Sequence, residues 1–221
     1  MDINQFIQTV AIYALPVLFA ITLHEAAHGY VARHFGDMTA YAQGRISVNP
    51  ARHIDLVGTI LVPLAILAAS KFMGGANLLF GWAKPVPVNY SALRRPRQKM
   101  LWVAAAGPIA NLAMAFGWAA LYKAVEVLPA NYFTQPMLLM GKAGMQVNII
   151  LMLLNLLPIL PLDGGRILAS LLPTRIAWGY AKLEPWGFPI LLVLLFTSAL
   201  GVILAPMIAF SYRVLGTVFQ I

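Results

Sequence analysis

The pentapeptide His24-Glu25-Ala26-Ala27-His28 is an HExxH motif, a spacing that lets two histidines bind one metal ion. On a helix, residues four positions apart share a face, so both imidazoles can reach the same point. Glu25 stands beside the first histidine, where its carboxylate can take a proton from a water molecule. The motif belongs to an apolar segment, where ionisable side chains are costly and therefore indicate function. We predict that His24 and His28 are metal ligands and that Glu25 is a general base.

Asp163 is the strongest candidate for the third protein ligand that a two-histidine zinc site needs. It ends a run of residues without charge, follows Pro158 and Pro161, and precedes Gly164. A broken helix inside a membrane is tolerated where it lines a cavity, so the two prolines can hold Asp163 in place. The alternative role for Asp163 is a cap on the helix that follows.

Other side chains could also complete the ligand set. In a continuing helix His34 would point about 240° around the axis from His28, which favours an interfacial position instead. The remaining candidates lie in loops or near prolines, and they are His53, Glu126 and Glu184.

The elements that must position these residues are apolar. Four runs contain no Asp, Glu, Lys or Arg, and they cover residues 3–23, 100–122, 143–162 and 185–212. A helix needs about 20 apolar residues to cross a bilayer, and each run is long enough. Hydrophobic residues make up 61% of the 221 residues and charged residues 10%, whereas a soluble domain is about 25% charged. We predict a single all-α, polytopic integral-membrane domain over residues 1–221, with helices over 6–33, 100–123, 143–157 and 186–210.

Composition also excludes several classes of protein. The chain has no cysteine, which rules out disulfide scaffolds and thiolate metal sites. Its net charge of +8 comes from basic residues in short loops between apolar runs. This pattern indicates contact with membrane lipids and no nucleic-acid partner. The sequence allows a homo-oligomer but does not specify one.

Two segments between the first helices are less regular. Residues 40–50 alternate loosely between polar and apolar and predict a short membrane-associated β-hairpin, whose edge at 44–50 could hold an extended substrate. Residues 85–88, Pro-Val-Pro-Val, could line the same groove. Residues 124–142 are expected to be an exposed connection.

The hydrophobic segment 54–73 determines the topology. Its core without charge is too short for a full span, so we predict that it is re-entrant. With that topology, Lys and Arg residues concentrate on one side, and only Lys123, Lys142 and Arg213 lie on the other. The positive-inside rule makes the basic side cytoplasmic.

Three stretches of the chain resemble the site-2 protease family of intramembrane zinc metalloproteases. They are HEAAH at 24–28, NLLPILPLDGG at 155–165 and AGPIAN at 106–111. The resemblance covers residues 10–175 and matches a compact member without PDZ or nucleotide-binding modules. It implies one Zn²⁺ held by His24, His28 and Asp163, with Glu25 as general base. It also implies contact of Asn155 with the substrate backbone or the oxyanion.

The function implied by this resemblance is a zinc-dependent endopeptidase of the cell membrane. Its substrates would be transmembrane proteins or peptides, cut in or near their transmembrane segments, with the active site toward the cytoplasm. The alternatives are a metal-ion transporter and a catalytically inactive membrane scaffold. Gly107 is expected only to let two helices approach closely.

Overall fold

The computed structural model describes residues 3–53, 55, 61 and 84–221, and within them the chain is helical without any strand. The long helices are α1 (Ile3–His34), α3 (Pro96–Val127), α4 (Thr134–Asn155) and α8 (Ala199–Phe219). The shorter helices are α2 (Thr39–Ala42), α5 (Asp163–Leu171), α6 (Thr174–Ala181) and α7 (Glu184–Phe196). Two 3-10 turns cover Pro50–Arg52 and Tyr90–Ala92. The prediction of an all-α chain is confirmed for the described residues.

The long helices α1, α3, α4 and α8 are each long and apolar enough to cross a membrane. Each of them overlaps one of the four runs without charge in the sequence. Helix α7 is apolar but has only 13 residues, and at 1.5 Å per residue it is shorter than a bilayer core. The chain is therefore a multi-pass membrane protein with four candidate spans among the described residues.

Two predicted helix boundaries were wrong. Helix α4 begins at Thr134, so the connection before it is much shorter than 124–142. Pro136 fits in the first turn of α4 because its missing N–H has no partner there. The predicted helix over 186–210 is two helices, α7 and α8, because Ser198 adopts a left-handed backbone with φ of 59° between them.

The predicted β-hairpin at 40–50 is not formed. Thr39–Ala42 is a turn of helix, and Oδ1 of Asp37 accepts a hydrogen bond from the Thr39 N–H over 2.9 Å. Residues 45–47 have no strand partner among the described residues. Loose alternation of polar and apolar residues was a weak signal, because a strand also needs a neighbouring backbone to pair with.

The end of α1 lies beside the start of α3. The Phe35 carbonyl accepts a hydrogen bond from the Arg94 N–H over 3.3 Å, and Oδ2 of Asp37 accepts one from the Asn89 N–H over 2.6 Å. The chain therefore leaves α1 and enters α3 at the same end of the helix bundle. The predicted re-entrant segment 54–73 lies outside the described residues, apart from Asp55 and Leu61.

Helices α3, α4 and α8 share the main apolar core. Ala115 and Ala119 of α3 pack in one cluster with Ile149 of α4 and Leu204 of α8. Small residues let helix backbones come close inside a membrane, where tight packing takes the place of a hydrophobic driving force. This core gives the residues of the candidate site a rigid support.

Candidate metal centre

Three side chains from two distant parts of the sequence converge on one point. Nε2 of His24 and Nε2 of His28 lie 3.1 Å apart. Oδ2 of Asp163 lies 3.3 Å from the first nitrogen and 3.4 Å from the second. All three residues are buried, with at most 9% of their surface exposed. Among the described residues, they are the group that could hold a metal ion.

Helix α1 presents both imidazoles on one face, and α3 fixes their outer nitrogens. Nδ1 of His28 lies 2.7 Å from the carbonyl oxygen of Val103, and Nδ1 of His24 lies 2.6 Å from Oδ1 of Asn111. Both oxygens can only accept, so each Nδ1 carries the proton and donates it. Each Nε2 is therefore left with a lone pair for a metal ion.

Gly107 of α3 makes room for the two rings. A Cβ added to Gly107 would lie 2.5 Å from Cε1 of His24 and 2.5 Å from Nε2 of His28. Real Cβ atoms essentially never come so close to other atoms. A glycine is therefore required where α3 crosses the HExxH face of α1.

A compact turn after α4 positions Asp163 at the first residue of α5. The turn contains a cis peptide bond between Leu160 and Pro161. A Cβ on Gly187 of α7 would overlap the carbonyl oxygen of Leu160, so α7 packs directly against this turn. No side-chain cap is found at this helix start, where Leu162 is the N-cap residue. The alternative role of Asp163 as a helix cap is therefore not supported.

Tyr180 of α6 also supports the turn. Its hydroxyl donates a hydrogen bond to the carbonyl oxygen of Pro158 over 2.9 Å. Burial raises the pKa of Tyr180 above its usual value of 10.0, so the phenol stays protonated and keeps donating at neutral pH. The prolines and glycines around Asp163 thus act with α6 and α7 to hold the carboxylate beside α1.

The three atoms fit a zinc ion by their chemistry and their spacing. Two imidazole nitrogens and one carboxylate oxygen form a typical ligand set that leaves a fourth position open. With bonds of about 2.0–2.2 Å in a tetrahedral arrangement, ligand atoms would be about 3.3 Å apart, and here they are 3.1–3.4 Å apart. Oδ2 of Asp163 is buried and makes no properly directed hydrogen bond. Three acceptor atoms that face one another without protons between them are well placed to bind a cation.

Glu25 is half-buried next to the cluster and is held by the backbone of the segment before α3. The N–H of Val86 donates to Oε2 of Glu25 over 2.7 Å. Pro85 and Pro87 have no N–H to offer, so Val86 is the donor at the centre of the Pro-Val-Pro-Val stretch. The segment 85–88 therefore contacts the predicted general base. Its predicted neighbour, the strand edge at 44–50, does not exist.

The other candidate ligands lie outside the cluster. His34 is exposed at the end of α1 beside Phe35. Nε2 of His53 hydrogen-bonds to the carbonyl oxygen of Ser47 over 2.8 Å. Glu126 is exposed and pairs with Lys123 over 2.9 Å, and Glu184 is exposed at the start of α7. The structure thus places Asp163 beside His24 and His28, and it places the other four candidate ligands elsewhere.

Comparison with known proteins agrees with this geometry. The sequence pattern described as Peptidase family M50 matches residues 129–198, a range that includes Asn155 and Asp163. The chain is 39% identical over 199 residues to "Putative zinc metalloprotease YwhC" of Bacillus subtilis, covering 88% of this chain and 84% of that protein. The chain belongs to the M50 family of site-2 proteases.

A second relative covers nearly as much of this chain at lower identity. "Putative zinc metalloprotease Rip2" of Mycolicibacterium smegmatis is 31% identical over 186 residues, which cover 83% of this chain and 66% of that protein. No solved structure gives a significant match. Membership in the M50 family, with the four apolar helices, makes the chain a zinc-dependent protease of the membrane. It does not favour a metal transporter or an inactive scaffold.

Sequence reasoning missed two features of this M50 site. Gly107 was expected only to permit helix packing, but it makes room for both imidazoles. Asn111 was noticed only as the last residue of AGPIAN, yet it binds His24. The spacing gave a usable signal, since Gly107 and Asn111 are four residues apart and share a face of α3.

Proposed function

We propose that this M50 protease hydrolyses peptide bonds in or near transmembrane segments of membrane proteins. His24, His28 and Asp163 hold one Zn²⁺, and Glu25 is the general base. The observation that carries the proposal is the convergence of three ligand atoms within 4.8 Å of one another. The ligands come from the HExxH helix and from a distant turn, so they meet only in the folded chain.

Bound zinc would supply Lewis acidity, which lowers the pKa of water to roughly 7 and polarises a carbonyl. The chain supplies the proton transfers. Glu25 accepts a proton from the attacking water and later returns it to the leaving amine. The Val86 N–H fixes one oxygen of Glu25 and leaves the other oxygen for the proton.

Asn155 is proposed to bind the substrate backbone or the developing oxyanion. It is the last residue of α4, and its Nδ2 donates to the carbonyl oxygen of Leu151 over 3.0 Å. The amide nitrogen carries a second N–H, which can be directed at a substrate carbonyl. The half-buried position of Asn155, just before the turn that carries Asp163, supports this role.

The active site is proposed to face the cytoplasm. Twelve of the 15 Lys and Arg residues lie in segments 33–53, 71–99 and 166–182. In the sequence, the first segment follows the HExxH motif, the second leads into the start of α3, and the third follows Asp163. Cytoplasmic loops of membrane proteins are rich in Lys and Arg.

The same charge count supports the proposal that segment 54–73 enters and leaves the membrane at one face. The hydrogen bond between Phe35 and Arg94 also supports it. The shared core of α3, α4 and α8 supports a single domain over 1–221.

The proposed function is tested by Glu25→Gln in purified protein in detergent. We expect this variant to retain zinc, because Glu25 is not a ligand, and to lose cleavage of fluorescein-labelled casein. Glu126→Gln is the matched control, since Glu126 is exposed and paired with Lys123. A Glu25→Gln variant that cleaves at the wild-type rate, or that loses its zinc, would contradict the assignment.

A further inference from the structure

Two buried asparagines link the proposed metal ligand His24 to backbone carbonyls of two helices. Asn111 lies in α3 and Asn148 in α4, and both have 0% of their surface exposed. Nδ2 of Asn111 donates to Oδ1 of Asn148 over 3.0 Å. Nδ2 of Asn148 donates to the carbonyl oxygen of Gly144 over 2.8 Å. We call these two side chains the asparagine relay.

The direction of every hydrogen bond in the relay follows from its far end. A backbone carbonyl can only accept, so the amide nitrogen of Asn148 must face Gly144 and its oxygen must face Asn111. The nitrogen of Asn111 then faces Asn148, and its oxygen faces Nδ1 of His24. Ala20 provides an independent anchor, since its carbonyl also accepts from Nδ2 of Asn111 over 3.3 Å.

We propose that the asparagine relay sets the tautomer of His24 and is thereby a positioning device for zinc. Oδ1 of Asn111 accepts, so Nδ1 of His24 must carry the proton and Nε2 must carry the lone pair. Without that acceptor, the neutral ring could place its proton on Nε2, which would block the ligand atom. The inference rests on the proposed function, because it needs His24 as a ligand.

The two histidines are fixed by different means. Nδ1 of His28 donates to the backbone carbonyl of Val103, and a substitution of the Val103 side chain leaves that carbonyl in place. His24 depends on a side chain, in an apolar interior where burial keeps water from replacing a lost partner. The asparagine relay is therefore the hydrogen-bond partner of a proposed metal ligand that a side-chain substitution can remove.

The experiment measures zinc affinity by competition with a chromogenic chelator and the His24 tautomer by ¹⁵N NMR of metal-free protein. The chain has only four histidines, which makes selective labelling practical. We expect Nδ1-protonated His24 in the wild type. We expect Asn111→Leu to weaken zinc binding by about 10- to 100-fold, the usual effect of removing such a partner.

The Asn111→Asp variant distinguishes the acceptor that positions His24 from the other contacts of the residue 111 side chain. Aspartate keeps the acceptor for His24 but loses the donors to Ala20 and Asn148, so we expect zinc affinity within a few-fold of wild type. Asn148→Leu should have a smaller effect than Asn111→Leu, because Ala20 still orients the Asn111 amide. Thr22→Val, at a polar residue of α1 that is equally buried and outside the relay, should leave zinc affinity unchanged.

Several results would overturn the inference. One is a zinc affinity of Asn111→Leu that equals that of the wild type. Another is a zinc affinity of Asn111→Asp that is as low as that of Asn111→Leu. The third is a wild-type His24 that carries its proton on Nε2. If Asn111→Leu does not fold, the inference is decided by the His24 tautomer in the wild type and by the zinc affinity of Asn111→Asp. Wild type that holds no zinc refutes the proposed function itself, which distinguishes the two failures.

Discussion

Gly107 lies where a Cβ would come within 2.5 Å of Nε2 of His28. The backbone of α3 therefore packs directly against the HExxH face of α1. Close approach also brings the Val103 carbonyl within 2.7 Å of Nδ1 of His28. A single glycine thus couples the packing of α1 and α3 to the geometry of the proposed metal ligands.

We predict that Gly107→Ala removes most of the bound zinc. The added methyl group would displace both imidazoles or push α3 away from α1, and either change separates the ligands. Zinc measured by mass spectrometry should fall well below one ion per chain. Gly117→Ala is the control in the same helix, since a Cβ there meets nothing within 4 Å. Equal zinc content in the two variants would refute the steric argument.

We predict that Val86→Pro slows catalysis without loss of zinc. Proline has no N–H, so Oε2 of Glu25 would lose its donor and the carboxylate its fixed position. General acid–base catalysis contributes about 10²–10⁴-fold to rates, and we expect kcat to fall by at least about tenfold. Val88→Pro introduces the same residue two positions away and should have the smaller effect on kcat. Unchanged kcat in Val86→Pro would show that this hydrogen bond does not position Glu25.

We predict that Gly187→Ala weakens zinc binding from a distance. A Cβ at Gly187 would overlap the Leu160 carbonyl oxygen, so either α7 or the turn that carries Asp163 must move. Zinc affinity and the melting temperature in detergent should both fall. Gly179→Ala in α6, where a Cβ meets nothing within 4 Å, should change neither. Zinc affinity equal to wild type in Gly187→Ala would mean that α7 does not support Asp163.

We predict that Asn155→Leu lowers kcat while zinc content and KM stay near wild type. Loss of one oxyanion donor typically costs about 10²–10³-fold in kcat. The measurement is cleavage of labelled casein over a range of concentrations, with metal analysis of the same samples. A rise in KM alone would assign Asn155 to ground-state substrate binding, and no change at all would make it a structural residue.

The cluster that could hold a metal ion could be predicted from the sequence because its signals are local. His24 and His28 follow from helical spacing, and Asp163 follows from prolines and glycines that interrupt an apolar run. The four spans could be predicted for the same reason, since a bilayer sets a minimum length for an apolar helix.

The partners of these ligands could not be predicted, because they depend on packing between helices. The spacing predicts that Gly107 and Asn111 share a face of α3, but only the crossing of α1, α3 and α4 brings Asn111 to His24 and Asn148. The hairpin at 40–50 failed because a strand requires a backbone partner. The break at Ser198 was missed because no proline or glycine marks it, and the left-handed residue is a serine.

The most direct test of the proposed metal centre is a zinc count on purified wild type, Asp163→Ala, Glu126→Ala and Glu184→Ala. We predict one zinc per chain in the wild type and in both glutamate variants, because the two glutamates lie outside the cluster of His24, His28 and Asp163. We predict that Asp163→Ala alone loses its zinc. Zinc retained in Asp163→Ala, or lost in a glutamate variant instead, would contradict the proposed site.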